Sequence, residues 1–282
     1  MTASPLPPPR LIDHPEAVRL VAEGAVTVVD VRTPQEHARL GHIPGARLLP
    51  VDVVAAGPAV LPDDGRPLLV YCEHGVRSRV AAAVLAAAGT APVLELRGGL
   101  AGWRGPREFG PGRVEGPAAW LLENADLLRP RMRVLDVAAG RGRHALLFAA
   151  AGCPVTAVDR DAAAMARLDR IAAAMGHPVT TAVVDLEAGA VDFGIGAYDL
   201  VVVTHYLHRP LMPALVAAVA PGGMLVYETF TTAQAARGKP TNPAYLLQPG
   251  ELPTLVAPLV VARSREGVYD DREVAAVVAV RR

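Results

Sequence analysis

Cys72 ends the apolar run "LLVYC", and the four residues "EHGV" separate it from Arg77, where a helical pattern over residues 77–88 begins. A cysteine that leaves a buried strand into a loop opening a helix sits where backbone N–H groups converge, and the helix dipole adds positive character there. Both effects favour the thiolate, and Arg77 adds a full positive charge. Gly75 lets the loop curl so that its amides turn inward. The chemistry expected is nucleophilic, with an anion cradled on the cysteine sulfur. The alternative is a small apolar core residue, since free cysteine is among the most buried residue types. Loop length narrows the anion: cysteine-dependent phosphatases place five residues between Cys and Arg, so a four-residue loop suits one extra sulfur atom, a persulfide, better than a phosphoryl group. Glu73 and His74 make the loop less basic. An acid there disfavours a doubly charged donor such as thiosulfate and partly offsets Arg77.

A second constellation lies in "RVLDVAAGRGRHALLFAAAG", where a strand bearing Asp136 runs into Gly140 and Gly142 and then a helix. This places glycines where a ligand meets backbone closely, although an ordinary strand-to-helix turn reads the same way. The next strand ends in Asp159, placed to accept from both ribose hydroxyls of a nucleoside. "VVDLE" then puts Asp185 where it can meet an adenine amino group. The third glycine of a dinucleotide fingerprint falls on Ala145, so glycine count alone leaves NAD open. Asp136 suits a ligand carrying an ammonium group better than a pyrophosphate. On the acceptor side, "THYLHRP" offers His205 and Tyr206 to position or deprotonate a nucleophile, and His208 and Arg209 to hold an anion. The polar segment 231–251 reads as a cover over the substrate, with Arg237, Lys239 and Asn242 as candidates. Cys153, entering a strand, reads as packing.

The elements that must position these groups follow from periodicity. "VTVVDVR", "LLVYC" and "PVLEL" are short apolar runs, hence buried strands, with helical patterns between them. Residues 102–117, dense in Gly and Pro, have no period. The alternation then restarts with a helix "AAWLLENADLL", the strand "MRVLDVA", a helix, "PVTAVDR", a helix over 161–175, and strands "TTAVVDLE", "YDLVVVTH" and "GGMLVYETF". Two last strands around a turn close the sheet as a hairpin. The fold class is therefore α/β with two parallel-sheet domains, residues 1–108 and 117–282, joined by a linker at 109–116.

Composition agrees. A chain of 282 residues, 51% hydrophobic and 20% charged, has core material for two domains. The formal net charge is zero, so no electrostatic footprint for nucleic acid or an anionic membrane is present. Two cysteines make neither a metal cluster nor a disulfide framework. The proline-rich "MTASPLPPPRLIDHP" lacks the apolar region of a signal peptide, and the Ala/Val runs are too short to span a membrane, so a cytoplasmic protein is expected.

The blocks "VVDVRTPQEHARLGHIPGA", "CEHGVRS" and "LRGGLAGW" resemble, in order, the rhodanese family of sulfurtransferases over roughly residues 11–105. That resemblance implies that Cys72 accepts a sulfane sulfur stabilised by the loop amides and Arg77, from a small-molecule or protein persulfide donor. It also implies that Asp30, Arg32 and Glu36 form a structural ion-pair network, and that Gly99 and Trp103 are packing positions. Residues 117–282 resemble class I S-adenosylmethionine-dependent methyltransferases, and "YDLVVVTHYLHRPLMPAL" with "APGGMLVYETF" resemble the tellurite-resistance members. This implies a seven-stranded sheet, with Asp136, Gly140 and Gly142 at the methionine end of S-adenosylmethionine, Asp159 at the ribose, and Asp185 with Leu186 at the adenine. The acceptor is a small molecule, and no metal is implied. Co-occurrence of the two halves points to a small thiol or chalcogen acceptor. The alternative is an unrelated acceptor, with the first half sensing sulfur or redox state.

Overall fold

The computed structural model describes residues 7–282; the first six, part of the proline-rich stretch expected not to be a signal peptide, lie outside the described residues. The chain forms two compact units: residues up to Pro117 together with Arg170–His177, and Ala118–Asp169 together with Pro178–Arg282.

In the first unit, β1 (Arg10–Ile12), β2 (Thr27–Asp30), β3 (Arg47–Leu48), β4 (Leu68–Tyr71) and β5 (Val93–Leu96) form a sheet. The strands pair in parallel in the order β1-β5-β4-β2-β3. Every residue of β2, β4 and β5 is buried, as befits parallel strands covered on both faces. Those three are the strands periodicity shows. β1 and β3 are edge strands of three and two residues, too short to carry a period. The helix Val76–Ala87 opens at Gly75, whose φ of 88° is left-handed and readily open only to glycine. The helix Pro34–Leu40 opens with a capping box in which Thr33 and Glu36 each satisfy the other's backbone amide. The Gly/Pro-rich stretch lies along this unit. His42 and Glu108 exchange backbone hydrogen bonds of 2.8 and 2.9 Å, and Arg47 holds Glu115 at 2.7 Å.

The second unit contains β6 (Val134–Val137), β7 (Val155–Asp159), β8 (Thr180–Val183), β9 (Tyr198–Thr204), β10 (Val219–Phe230), β11 (Val260–Tyr269) and β12 (Arg272–Val280). They form one seven-stranded sheet, ordered β11-β12-β10-β9-β6-β7-β8. All pairs are parallel except those of β12, which runs antiparallel to β10 and β11. This is the terminal hairpin anticipated from the sequence. Its turn residues, Asp270 and Asp271, both have positive φ (49° and 60°), the conformation whose twist matches that of a hairpin. The helix expected at 118–128 is shorter: it runs over Ala119–Glu123 and gives way to a 3-10 turn at Ala125–Leu127. Asn124 sits at the break, its side-chain amide donating to the Trp120 carbonyl at 2.7 Å, a side chain competing with the backbone ladder. Among the described residues, no helix is long and apolar enough to cross a membrane.

Gly99 shows how tightly the Cys72 loop is seated. Leu100 and Ala101 donate their amides to the carbonyls of Cys72 and Glu73 at 2.8 and 3.0 Å. A Cβ on Gly99 would fall 2.4 Å from the Cys72 carbonyl oxygen, at a φ of 68°. Trp103, 5% exposed, completes the support by donating its indole N–H to Pro106 at 2.9 Å. Gly99→Ala is expected to cost about 2 kcal/mol or more, measured by urea unfolding; an unchanged midpoint would contradict this account of the loop.

Candidate functional site

Two sites emerge, each at the C-terminal end of parallel strands. In the first unit, β4 delivers Cys72, which is 2% exposed. The Gly75 amide donates to its Sγ at 3.1 Å, and the Ser78 hydroxyl lies 3.5 Å away. Burial opposes the thiolate, but the Ser78 hydroxyl and the amides of Ser78, His74 and Gly75 outweigh it and hold the Cys72 thiol below its ordinary range. The cradle expected from strand, glycine and helix start is present.

The charges around it are arranged differently from expectation. Arg77 grips Glu36 with both guanidinium nitrogens, at 2.7 Å for Nη1. That pair, with the capping bonds of Thr33, holds the Glu36 carboxyl down at about 2. Asp30 and Arg32 form a separate, fully buried pair at 2.8 Å. Its third member is Glu73, which accepts from Arg32 Nη1 at 2.8 Å. The expected Asp30–Arg32–Glu36 network is therefore two networks, and Glu73 is not a loose charge opposing Arg77. It is Glu36 that cancels Arg77. His37 adds to the buried group, with Nδ1 2.9 Å from Asp30 and its ring stacked on His42 at 3.7 Å. Desolvation lowers its pKa.

In the second unit, a cavity of about 310 Å³ opens between the ends of β6, β7, β9 and β10 and the segment after β10. Asp159, Asp185, Leu186, His205 and Tyr206 all line it, as expected. Asp159 accepts from the amides of Gly140 at 2.7 Å and Asp161 at 2.9 Å, one on each carboxylate oxygen. Asp136 does not line the cavity. It is 1% exposed and accepts from the Ala145 amide at 3.1 Å. His144 faces it, with Nδ1 3.6 Å away. Because His144 Nε2 accepts from the Ala118 amide at 3.1 Å, the ring proton sits on Nδ1, towards Asp136. Asp136 thus braces the start of the helix Arg143–Ala150. Gly142 serves packing, since a Cβ there would meet Leu168 at 2.5 Å.

His205 is held by its surroundings. It has a positive φ of 56°, stacks on Phe230 at 5.0 Å, and has Arg272 Nη1 3.1 Å from its Nε2. A guanidinium only donates, so in that contact Nε2 is the acceptor, and Glu228 Oε1 stands 3.9 Å from the same nitrogen. The Tyr206 hydroxyl is buried without a hydrogen-bond partner. Burial first, then the Glu187 and Asp185 carboxylates, push its phenol up to about 12.

Arg209 binds Glu251 at 2.6 Å and the carbonyls of Ala244 and Leu246, so it fastens the segment over the cavity instead of binding an anion. His208 precedes the same turn, and its backbone carbonyl accepts from the Leu211 amide at 3.0 Å. Arg237 pairs with Glu273 at 3.1 Å, and Asn242 caps Ala244. From that segment it is Pro240 and Tyr245 that reach the cavity. Sequence reasoning also missed Arg160 and Glu187, each next to a residue it had chosen, and Ala138, which takes a left-handed φ of 53° at the end of β6.

Residues 13–106 match the family model of the rhodanese-like domain. The chain is 39% identical over 107 residues to the thiosulfate sulfurtransferase GlpE of Pseudomonas paraeruginosa, covering 36% of this chain and 92% of that protein. The chain belongs to the rhodanese-like family. A sulfurtransferase of Allochromatium vinosum is 41% identical over 85 residues, 30% of this chain and 78% of that one. Residues 134–223 match the model of a methyltransferase domain. Among solved structures, TehB from Haemophilus influenzae aligns with a TM-score of 0.48 at 20% identity, covering 59% of this chain and 63% of that one. The chain is thus an enzyme in which a rhodanese-like sulfurtransferase domain precedes a methyltransferase domain.

The Glu36–Arg77 pair gives this rhodanese-like domain a pH signature. With Glu36 at about 2 in the folded chain, against an ordinary 4.5, the pair's contribution is complete above about 4.5 and is lost as pH falls towards 2. Glu36→Gln is expected to flatten the fall in unfolding temperature across that window and to leave stability above it less changed; a wild-type slope in the variant would contradict the pairing.

Proposed function

We propose that this enzyme takes a sulfane sulfur onto Cys72 from a persulfide donor and, in its second domain, methylates a small thiol or other reduced chalcogen with S-adenosylmethionine. The observation that carries the sulfur half is the ring of donors on Cys72 Sγ combined with the charge around it. Arg77 is neutralised by Glu36, and Arg32 faces two carboxylates. What remains to hold an anion is mainly backbone N–H dipole, enough for a persulfide and poorly matched to a dianion. The GlpE relative is named for thiosulfate; for this chain a persulfide is the better-matched donor. A thiol that must stay reduced to carry sulfur suits the cytoplasm.

The cofactor half rests on the cavity's own chemistry. Its lining carries Asp159, Asp185 and Glu187 against the single guanidinium of Arg160, which favours a cationic ligand and disfavours a pyrophosphate. The unpartnered Tyr206 hydroxyl is an atom a ligand would satisfy. The residues present therefore fit S-adenosylmethionine: Asp159 would hold the ribose, and Asp185 with Leu186 the adenine. When bound, the cofactor supplies a sulfonium methyl group. The chain's part is then to hold the acceptor in line and exclude water. The rings of His205, Phe230, Tyr206 and Tyr245 form an apolar wall suited to a soft nucleophile that needs no base. The acceptor and the sulfur donor are both small molecules in this reading, although a protein persulfide would serve the same cysteine.

The test is methyl transfer from labelled S-adenosylmethionine to sulfide, small thiols, selenite and tellurite. Label is expected on the reduced sulfur species, and Cys72→Ser is expected to abolish cyanide-dependent sulfur release while leaving methylation of added thiols intact. Labelling of no chalcogen species would overturn the acceptor, and absence of cofactor binding by titration would overturn the cofactor.

A further inference from the structure

The wall of the second-unit cavity is aromatic, and three separate stretches of chain build it. His205 and Tyr206 follow β9, Phe230 ends β10, and Tyr245 comes from the covering segment. The His205 and Phe230 rings stack at 5.0 Å. Arg209 places Tyr245 by binding the carbonyls on either side of it, those of Ala244 and Leu246. Aromatic faces carry negative charge density and attract cations. The rim repeats that sign, since the carboxyl groups of Asp159, Asp185 and Glu187 stand against one guanidinium, Arg160. Tyr206 registers the outcome from inside. Its buried hydroxyl has no hydrogen-bond partner, and burial with the Glu187 and Asp185 carboxylates, against Arg160, keeps it protonated. An acceptor entering as an anion meets the same resistance. An uncharged acceptor that becomes a cation on methylation meets the reverse.

We propose that the preferred acceptor is an uncharged dialkyl chalcogenide, a thioether or selenoether, and that the aromatic wall and carboxylate rim hold the sulfonium or selenonium ion it becomes. The proposal rests on the reading of this domain as a chalcogen methyltransferase and narrows it. In the step, a lone pair of the acceptor chalcogen attacks the methyl carbon of S-adenosylmethionine. A C–S or C–Se bond forms, the bond from that carbon to the cofactor sulfur breaks, and its electron pair stays on the cofactor sulfur. One positive charge passes from one chalcogen to another, no proton moves, and no external oxidant or reductant takes part. A neutral thiol, by contrast, has to lose a proton, and Tyr206, pushed up to about 12, is no base near neutral pH. The charge therefore stays throughout beside the rings and carboxylates that attract it.

The test uses the full chain, labelled S-adenosylmethionine and a matched pair of acceptors, 2-(methylthio)ethanol and 2-mercaptoethanol. The thioether is expected to give the larger kcat/KM near neutral pH, by about tenfold, and a rate independent of pH, whereas the thiol's rate climbs with its ionisation. Glu187→Gln is expected to narrow the ratio by easing entry of the thiolate. A second readout needs no turnover: calorimetric titration of trimethylsulfonium chloride into the chain loaded with S-adenosylhomocysteine. Binding is expected in the wild type and in Tyr245→Phe, and about tenfold weaker in Tyr245→Leu, which keeps the apolar bulk without a ring face. Tyr245 is 42% exposed, so neither variant disturbs the core. A thiol methylated as well as or better than the thioether would overturn the proposal and leave the chalcogen reading standing. Equal trimethylsulfonium binding by Tyr245→Leu and wild type would overturn the role of the aromatic wall. Failure of S-adenosylhomocysteine to bind would overturn the cofactor reading, and this proposal with it.

Discussion

The Arg32 guanidinium is sealed from water, and its contacts run to Asp30, to Glu73 and to the Gly41 carbonyl. Removing a charge of that kind from water is expensive, and the loss is offset only while the partners keep their places. Asp30 ends β2, Gly41 follows the helix Pro34–Leu40, and Glu73 is the residue after Cys72. One buried charge therefore ties three stretches of chain together and fixes where the Cys72 loop begins. The glycine turn below it fixes where the loop's carbonyls point, and the left-handed Gly75 fixes where its amides point. The thiolate is stabilised by a scaffold that was already obligatory for other reasons.

The same division of labour recurs in the second unit. Asp136 and Gly142, which the sequence pattern marks as ligand-facing, hold the strand-to-helix turn in shape from behind. Asp159, braced by two amides, faces the cavity. Backbone strain gathers at its rim: Ala138 and His205 both carry positive φ without being glycine, a conformation that costs of order 1 kcal/mol or more and persists where surrounding packing imposes it. In both units buried acids and glycines form the support behind the groups that face the site.

Much of this was legible in residue order. Buried apolar runs gave β2, β4, β5, β6 and most of β9 and β10, because a parallel strand covered on both faces must be apolar throughout, whereas β8 and β11 are largely exposed. The terminal hairpin showed as two runs around a turn. Edge strands β1 and β3 were hidden, since two or three residues carry no period. The site was legible as a set of positions but not as a set of partners. Glu36 and Glu73 lie 37 residues apart in sequence and are both acidic; which of them meets Arg32 and which meets Arg77 depends on how β2 and β4 align. Likewise, Arg209 reads as an anion site in the sequence, whereas Glu251 and two carbonyls, some forty residues further on, already occupy it.

The central claim is that the Cys72 loop exists to hold a sulfur atom on that cysteine. The most direct measurement is the mass of the Cys72 peptide after the full chain has been incubated with a small persulfide, before and after cyanide. The account predicts one added sulfur on Cys72 that cyanide removes. An unmodified Cys72, or added sulfur confined to Cys153, would contradict it.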